Sequence, residues 1–195
     1  MIILRKDKLK LVPDTDPILH KPPTPFDFSD GHIGQRLYNL MSERMKEIGG
    51  IGLSANQVGI DARVFIMGVD DLRIGVFNPT IIEYGEEEDS FNEGCLSFPG
   101  LTLQVKRPTS IVATYCNEKG EQVTNRFQGL TARVFQHEYD HMEGKTFQSR
   151  VSQLKWNLAI KKRNHIKAKL VKKYTQKTLI DIYNEVKDAE NTDRV

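Results

Sequence analysis

At 195 residues, with 38% apolar and 28% charged side chains, the chain can bury a core without disulfide staples and lies outside the disordered class. Its two cysteines, Cys95 and Cys116, leave one bridge open but are too few for a secreted disulfide scaffold. No run approaches the roughly 18 apolar residues of a membrane span, and the apolar stretch in residues 1–8 is too short for a signal peptide. A reducing cytoplasm is the expected setting, either bacterial or that of a host if the gene is viral.

The Pro- and Asp-rich residues 12–30 are expected to wrap the surface as irregular chain. Ser29 or Asp30 is placed to cap a helix over 30–48, where Ile33, Leu37, Leu40, Met41, Met45 and Ile48 recur at three- and four-residue steps. Gly49-Gly50 ends that helix. The glycine-rich stretch Gly50–Gln57 lacks the Lys-Ser/Thr of a phosphate-binding loop and by itself reads as a plain loop. Short β-like runs follow at Val64–Met67, Ile74–Phe77, Leu101–Val105 and Ile111–Tyr115, separated by turn residues rather than helices. Antiparallel or mixed strands are therefore expected, with Cys116 in the core.

A second helix is expected over 128–142, with Leu130, Val134, His137 and His141 on one face. A third covers 151–174, with a broken apolar stripe of Trp156, Ala159, Ile166, Leu170 and Tyr174. A last helical piece runs from Leu179 to Val186, and residues 191–195 are expected to fray. The class is α+β: short mixed or antiparallel sheets around a central helix, with further helices near both ends. Residues 1–150 form the expected catalytic domain, and 151–195 a basic helical extension packed on it or projecting from it.

The most specific signal is His137-Glu138-Tyr139-Asp140-His141. Helical positions four apart share a face, so both imidazoles can meet one metal ion, with Glu138 beside them as a proton acceptor. Cys95, 42 residues upstream in Glu93-Gly94-Cys95-Leu96-Ser97, offers a thiolate as third ligand. Two nitrogens and one sulfur leave a tetrahedral ion an open position for water, the mark of a catalytic rather than a structural site. Attack on an amide also needs oxyanion donors, and Gln57 carries an amide N–H for that purpose. Taken singly, Cys95 is more often a small buried hydrophobe than a ligand. His20, His32 and His165 have no partner pattern and read as structural or exposed.

Together, Gly50–Gln57, Glu93–Ser97 and Gln136–His141 resemble the three motifs of peptide deformylase, in the same order and spacing. The resemblance implies removal of the N-formyl group from the initiator methionine of nascent polypeptides. It implies one divalent metal ion on Cys95, His137 and His141, Fe²⁺ in the cell with Zn²⁺ or Ni²⁺ as substitutes. Glu138 becomes the general acid/base, and Gln57 with the Leu96 backbone N–H the oxyanion donors. The methionine pocket falls on Ile51, Phe91, Leu130 and Val134, and backbone near Gly50, Gly52, Glu93 and Gly94 pairs with an extended peptide. Three departures stand out: Ser54 where alanine is more usual, Met142 where leucine is common, and Arg133 where some members carry an aliphatic residue. The last is expected to make the pocket rim more polar.

Two other readings remain open: a metal-dependent endopeptidase, and a noncatalytic ribosome- or peptide-binding protein of the same fold. The net charge of +2 hides an asymmetry that bears on the second. Residues 144–180 hold 11 Lys and Arg and no acid, leaving 17 basic against 26 acidic side chains elsewhere. If 151–174 is helical it is strongly positive, which suits either a solvated helix or contact with phosphate backbone. Some bacterial deformylases dock on the ribosome through a C-terminal helix, so the resemblance implies the ribosome as a partner, with the enzyme otherwise a monomer away from membranes.

Overall fold

Helix α1 (Ile33–Glu47) precedes strands β1 (Gly52–Ser54) and β2 (Val64–Met67), and every residue of β2 is buried. The reason is layering. Alternate strand residues face opposite sides, and both sides of β2 are covered. Val64 and Ile66 pack with Leu37, Met41 and Met45 of α1. Phe65 and Met67 join a second core with Ala132, Phe135 and Met142 of helix α2 (Gly129–Met142). Each such side chain contributes about 1.5–3 kcal/mol through burial. The computed structural model describes residues 9–192, so the reading of residues 1–8 lies outside the described residues, as do 193–195.

The remaining strands are β3 (Ile74–Tyr84), β4 (Glu88–Gly94), β5 (Thr102–Pro108), β6 (Ser110–Cys116) and β7 (Gln122–Gln128). One sheet has the order β1-β2-β3-β6-β7, and β4-β5 form a separate hairpin. Every pairing is antiparallel. The α+β expectation holds, with no parallel pair among the described residues.

Several boundaries differ from the sequence expectation. Asn78-Pro79 does not end β3; Asn78 takes a left-handed φ of 50°, and a bulge carries the strand on to Tyr84. The Asn78 side chain meanwhile pairs with both the N–H and the carbonyl of Phe26, at 2.7 and 2.9 Å, pinning the irregular N-terminal segment. Strands β1, β4 and β7 were not anticipated. β4 and β7 are mostly polar and hold their place through backbone pairing. Neither Ser29 nor Asp30 caps α1. His32 occupies the cap position, and Asp30 accepts from the His32 N–H at 3.3 Å through its side chain and from Ile33 at 3.0 Å through its carbonyl.

The chain divides into residues 1–152 and 153–195. The second unit is helix α3 (Gln153–Thr192), which joins the two expected C-terminal helical pieces into one. No Gly or Pro interrupts that span, so nothing in it breaks the helix. Ile166, Leu170 and Tyr174 of the expected stripe are exposed, while Trp156 and Ala159 are half-buried. Both cysteines are free, and Cys116 is half-buried at the edge of the first core.

Candidate metal centre

Helix α2 brings the chemistry inward. Its first turn opens at Gly129, whose N–H donates to Thr109 at 2.8 Å, and its last turn closes at Gly144, in a left-handed φ of 64°. A side chain on Gly144 would meet the Lys21 carbonyl carbon at 2.5 Å, so the helix stop is also a packing point. Between these ends Ala132, Phe135 and Met142 face the core, while His137 and His141 turn to the other side and are buried there.

Cys95 follows the last residue of β4 and meets that face. Ligand atoms of Cys95, His137 and His141 all lie within 4.8 Å of one another, and the Cys95 sulfur is 3.5 Å from His141 Nε2. Glu93 Oε2 sits 3.0 Å from His137 Nδ1, which leaves the Nε2 of that ring for the cluster. Burial pushes the His141 imidazole well below its ordinary range, which favours the neutral form a ligand needs. A buried sulfur with two imidazole nitrogens at this spacing fits a first-row divalent ion of the zinc or iron type.

Behind the ligands lies an ionic network that sequence reasoning missed. Arg107, 2% exposed on β5, grips Glu93 with two hydrogen bonds of 2.7 and 2.9 Å and reaches Asp140 at 2.9 Å. Arg133 Nη1 donates to the same Glu93 at 2.8 Å, and Arg150 holds Asp140 from the other side. Burial pushes the Glu93 carboxyl up, but hydrogen bonds from His137 and Arg107 outweigh it and hold the group at about 2. The signal for Arg107 was present in the strand alternation. Leu103, Val105 and Arg107 share the inward face of β5, so a cation stood at a core position.

Arg133 lines the cavity, so the expected cation does stand at the pocket, but carboxylate partners hold it. Its guanidinium is buried and bonded to Glu93, to Asp89, and to the Val105 carbonyl at 3.1 Å. It also lies over the Phe91 ring at 5.6 Å.

Glu138 is buried, and burial raises its pKa against the opposing pull of the His137 charge and the Ser54 hydroxyl. Ser54 Oγ donates to Glu138 Oε2 at 2.6 Å. Gly52 is required beside it, since a Cβ there would stand 2.4 Å from Glu138 Oε1. Gln57, in a 3₁₀ turn directly after β1, accepts from the Ser54 N–H at 2.9 Å through its carbonyl. That bond turns its amide nitrogen toward Ser97 Oγ at 3.0 Å and Cys95 Sγ at 3.4 Å.

A cavity of about 620 Å³ opens onto this cluster. Glu138, Gln57 and Leu96 line it, as do Cys95 and His137, whereas His141 lies fully buried behind. Gly50, Ile51, Gly52, Glu93, Gly94, Phe91, Leu130 and Val134, the residues expected to bind substrate, all line the same space. Ile51, Phe91 and Leu130 are 44%, 54% and 58% exposed, so the apolar wall is open to a ligand. His20, His32 and His165 are exposed, and neither His20 nor His32 lines the cavity.

Comparison with known proteins agrees with this geometry. The family model described as polypeptide deformylase matches residues 8–157. A peptide deformylase of Thermotoga petrophila is 40% identical over 147 residues, covering 75% of this chain and 89% of that protein. The crystal structure of the Thermotoga maritima peptide deformylase superposes with a TM-score of 0.70 at 38% identity, over 74% of this chain and 97% of that one. A Synechococcus elongatus peptide deformylase in complex with actinonin gives a TM-score of 0.75 at 33% identity, over 83% and 88% of the two chains. With a motif-bearing metal triad inside a fold matched over residues 8–157, the chain belongs to the polypeptide deformylase family and is a metal-dependent hydrolase.

Proposed function

We propose that the chain removes the N-formyl group from the initiator methionine of nascent polypeptides, releasing formate and a free amine. The observation that carries this reading is the buried Cys95, His137 and His141 cluster with Glu138 lining the mainly apolar cavity that opens onto it. A divalent ion on those three residues, Fe²⁺ in the cell with Zn²⁺ or Ni²⁺ as substitutes, supplies Lewis acidity that makes water a nucleophile near neutral pH.

The chain's own groups do the rest. Glu138 accepts the proton of the attacking water and returns it to the departing amine. The Gln57 amide, aimed at the cluster, and the Leu96 backbone N–H donate to the developing oxyanion. Ile51, Phe91, Leu130 and Val134 take the unbranched methionine side chain. Backbone at Gly50–Gly52 and Glu93–Gly94 pairs with the extended peptide as an added strand would.

Anaerobic purification with metal analysis, followed by parallel assays on formyl-Met and acetyl-Met peptides, tests the reading. Formyl release with little acetyl release is expected. Glu138→Ala should lose roughly 10²–10⁴-fold in rate with its metal retained. Cleavage of internal peptide bonds without preference for a formyl cap would point to an endopeptidase instead.

We also propose that residues 1–150 act as a monomeric cytoplasmic catalytic unit and that the basic segment 151–195 contacts ribosomal phosphate backbone. Lys161, Lys162, Lys167, Lys169, Lys172 and Lys173 are all exposed on α3. No helix among the described residues is long and apolar enough to cross a membrane. Ribosome binding that survives deletion of 151–195 at physiological salt would overturn the contact.

A further inference from the structure

We propose that Ser54 is a positioning residue for the reaction, holding the Glu138 carboxylate in its working orientation through the Ser54 side-chain hydroxyl. The inference rests on the deformylase reading above and adds to it a group outside the cavity wall.

A glutamate carboxylate ends in a broad, roughly two-fold torsion, so packing alone orients it poorly and a directed hydrogen bond is needed to fix its plane. Ser54 Oγ supplies one to Oε2 at 2.6 Å, between two buried residues. Because a carboxylate oxygen only accepts, the serine hydroxyl is the donor. Glu138 Oε1 lies instead against Gly52, which lines the cavity, while Ser54 does not line it. The hydroxyl therefore holds one oxygen from behind and leaves the other on the substrate side.

Ser54 is itself held. It pairs with Phe65 at the end of β1, and its N–H donates to Gln57 Oε1 at 2.9 Å. One buried residue thus contacts both the proton-transfer group and the oxyanion amide, through different atoms. Replacing the side chain removes the hydroxyl's bonds to Glu138 and its capping contact with the turn that opens at Ala55, but leaves the main-chain bond from the Ser54 N–H to Gln57 Oε1 in place. A merely structural hydroxyl would satisfy a buried oxygen and influence stability; a positioning hydroxyl also sets turnover.

The test compares wild type, Ser54→Ala and Ser54→Thr, each loaded with zinc, by metal content per chain, kcat and KM on a formyl-Met peptide, and crystal structure. Expected for Ser54→Ala is unchanged metal content and KM, kcat lower by on the order of tenfold, and a Glu138 carboxylate rotated from its wild-type plane. Ser54→Thr, which keeps the hydroxyl, should restore the carboxylate plane and most of kcat. A Ser54→Ala enzyme with wild-type kcat, or one whose loss lies wholly in KM, overturns the proposal. Should the alanine variant fail to fold, Ser54→Cys, a weaker donor of similar size, replaces it, and a kcat equal to wild type overturns the proposal in the same way. An inactive wild type would instead defeat the deformylase reading.

Discussion

Glu93 Oε2 lies 3.0 Å from His137 Nδ1, and Arg107 grips the same carboxylate with two hydrogen bonds. A residue bordering the cavity is thereby also the anchor of a metal ligand. Its charge, and not only its backbone, serves the site.

Glu93→Gln should weaken metal binding by about 10–100-fold, the usual loss when a ligand's supporting partner is removed. It should also lower stability by about 3–5 kcal/mol, because Arg107 loses a buried counter-charge. Chelator competition and thermal melts measure the two effects, and wild-type values for both would refute the anchoring role.

The same carboxyl has a signature at acid pH. It is held at about 2, below its ordinary 4.5, so its contribution to stability is fully present above 4.5 and lost as pH falls through 2. Metal-free wild type should therefore lose stability on acidification across that window more steeply than metal-free Glu93→Gln. Denaturant unfolding at several pH values checks this, and parallel acid limbs would contradict it.

Gly52→Ala places a methyl 2.4 Å from Glu138 Oε1. Either β1 or the carboxylate must shift. The expected result is a fall in kcat by at least tenfold with the metal retained, since the atoms nearest the added methyl all belong to Glu138. Metal loss in step with activity would show that the strain spreads to the triad.

Metal removal should destabilise without unfolding. An ion at 100 times its dissociation constant stabilises by about 2.7 kcal/mol, corresponding to roughly 5–10 °C in Tm for a domain of this size. The two apolar cores flanking β2 do not include the triad, so far-UV circular dichroism should be unchanged after chelation. Collapse of the spectrum would mean the ion holds the fold.

Much of the site was legible in the chain. His137 and His141 announce themselves by helical spacing, and Cys95 by the segment around it. Helix α1 was readable from its apolar period, with only its cap misplaced. What escaped notice was polar: β4 and β7, with little apolar alternation to mark them, and the Arg107, Asp140 and Arg150 network, whose members come from three different elements. Arg133 was legible only in part. A cation near an apolar pocket reads as a polar rim until its carboxylate partners are located.

The sequence by itself determined the ligand types, the helix that carries two of them, and the α+β class, because helical period and donor chemistry are local properties. Only the tertiary structure decided how those groups are held. Hydrogen bonds such as Ser54 to Glu138, 84 residues apart, and Arg133 to Glu93, 40 apart, depend on which surfaces meet when the sheet packs against α2. No pattern along the chain encodes such a meeting, since its directionality arises only when buried polar atoms must find partners in the folded interior.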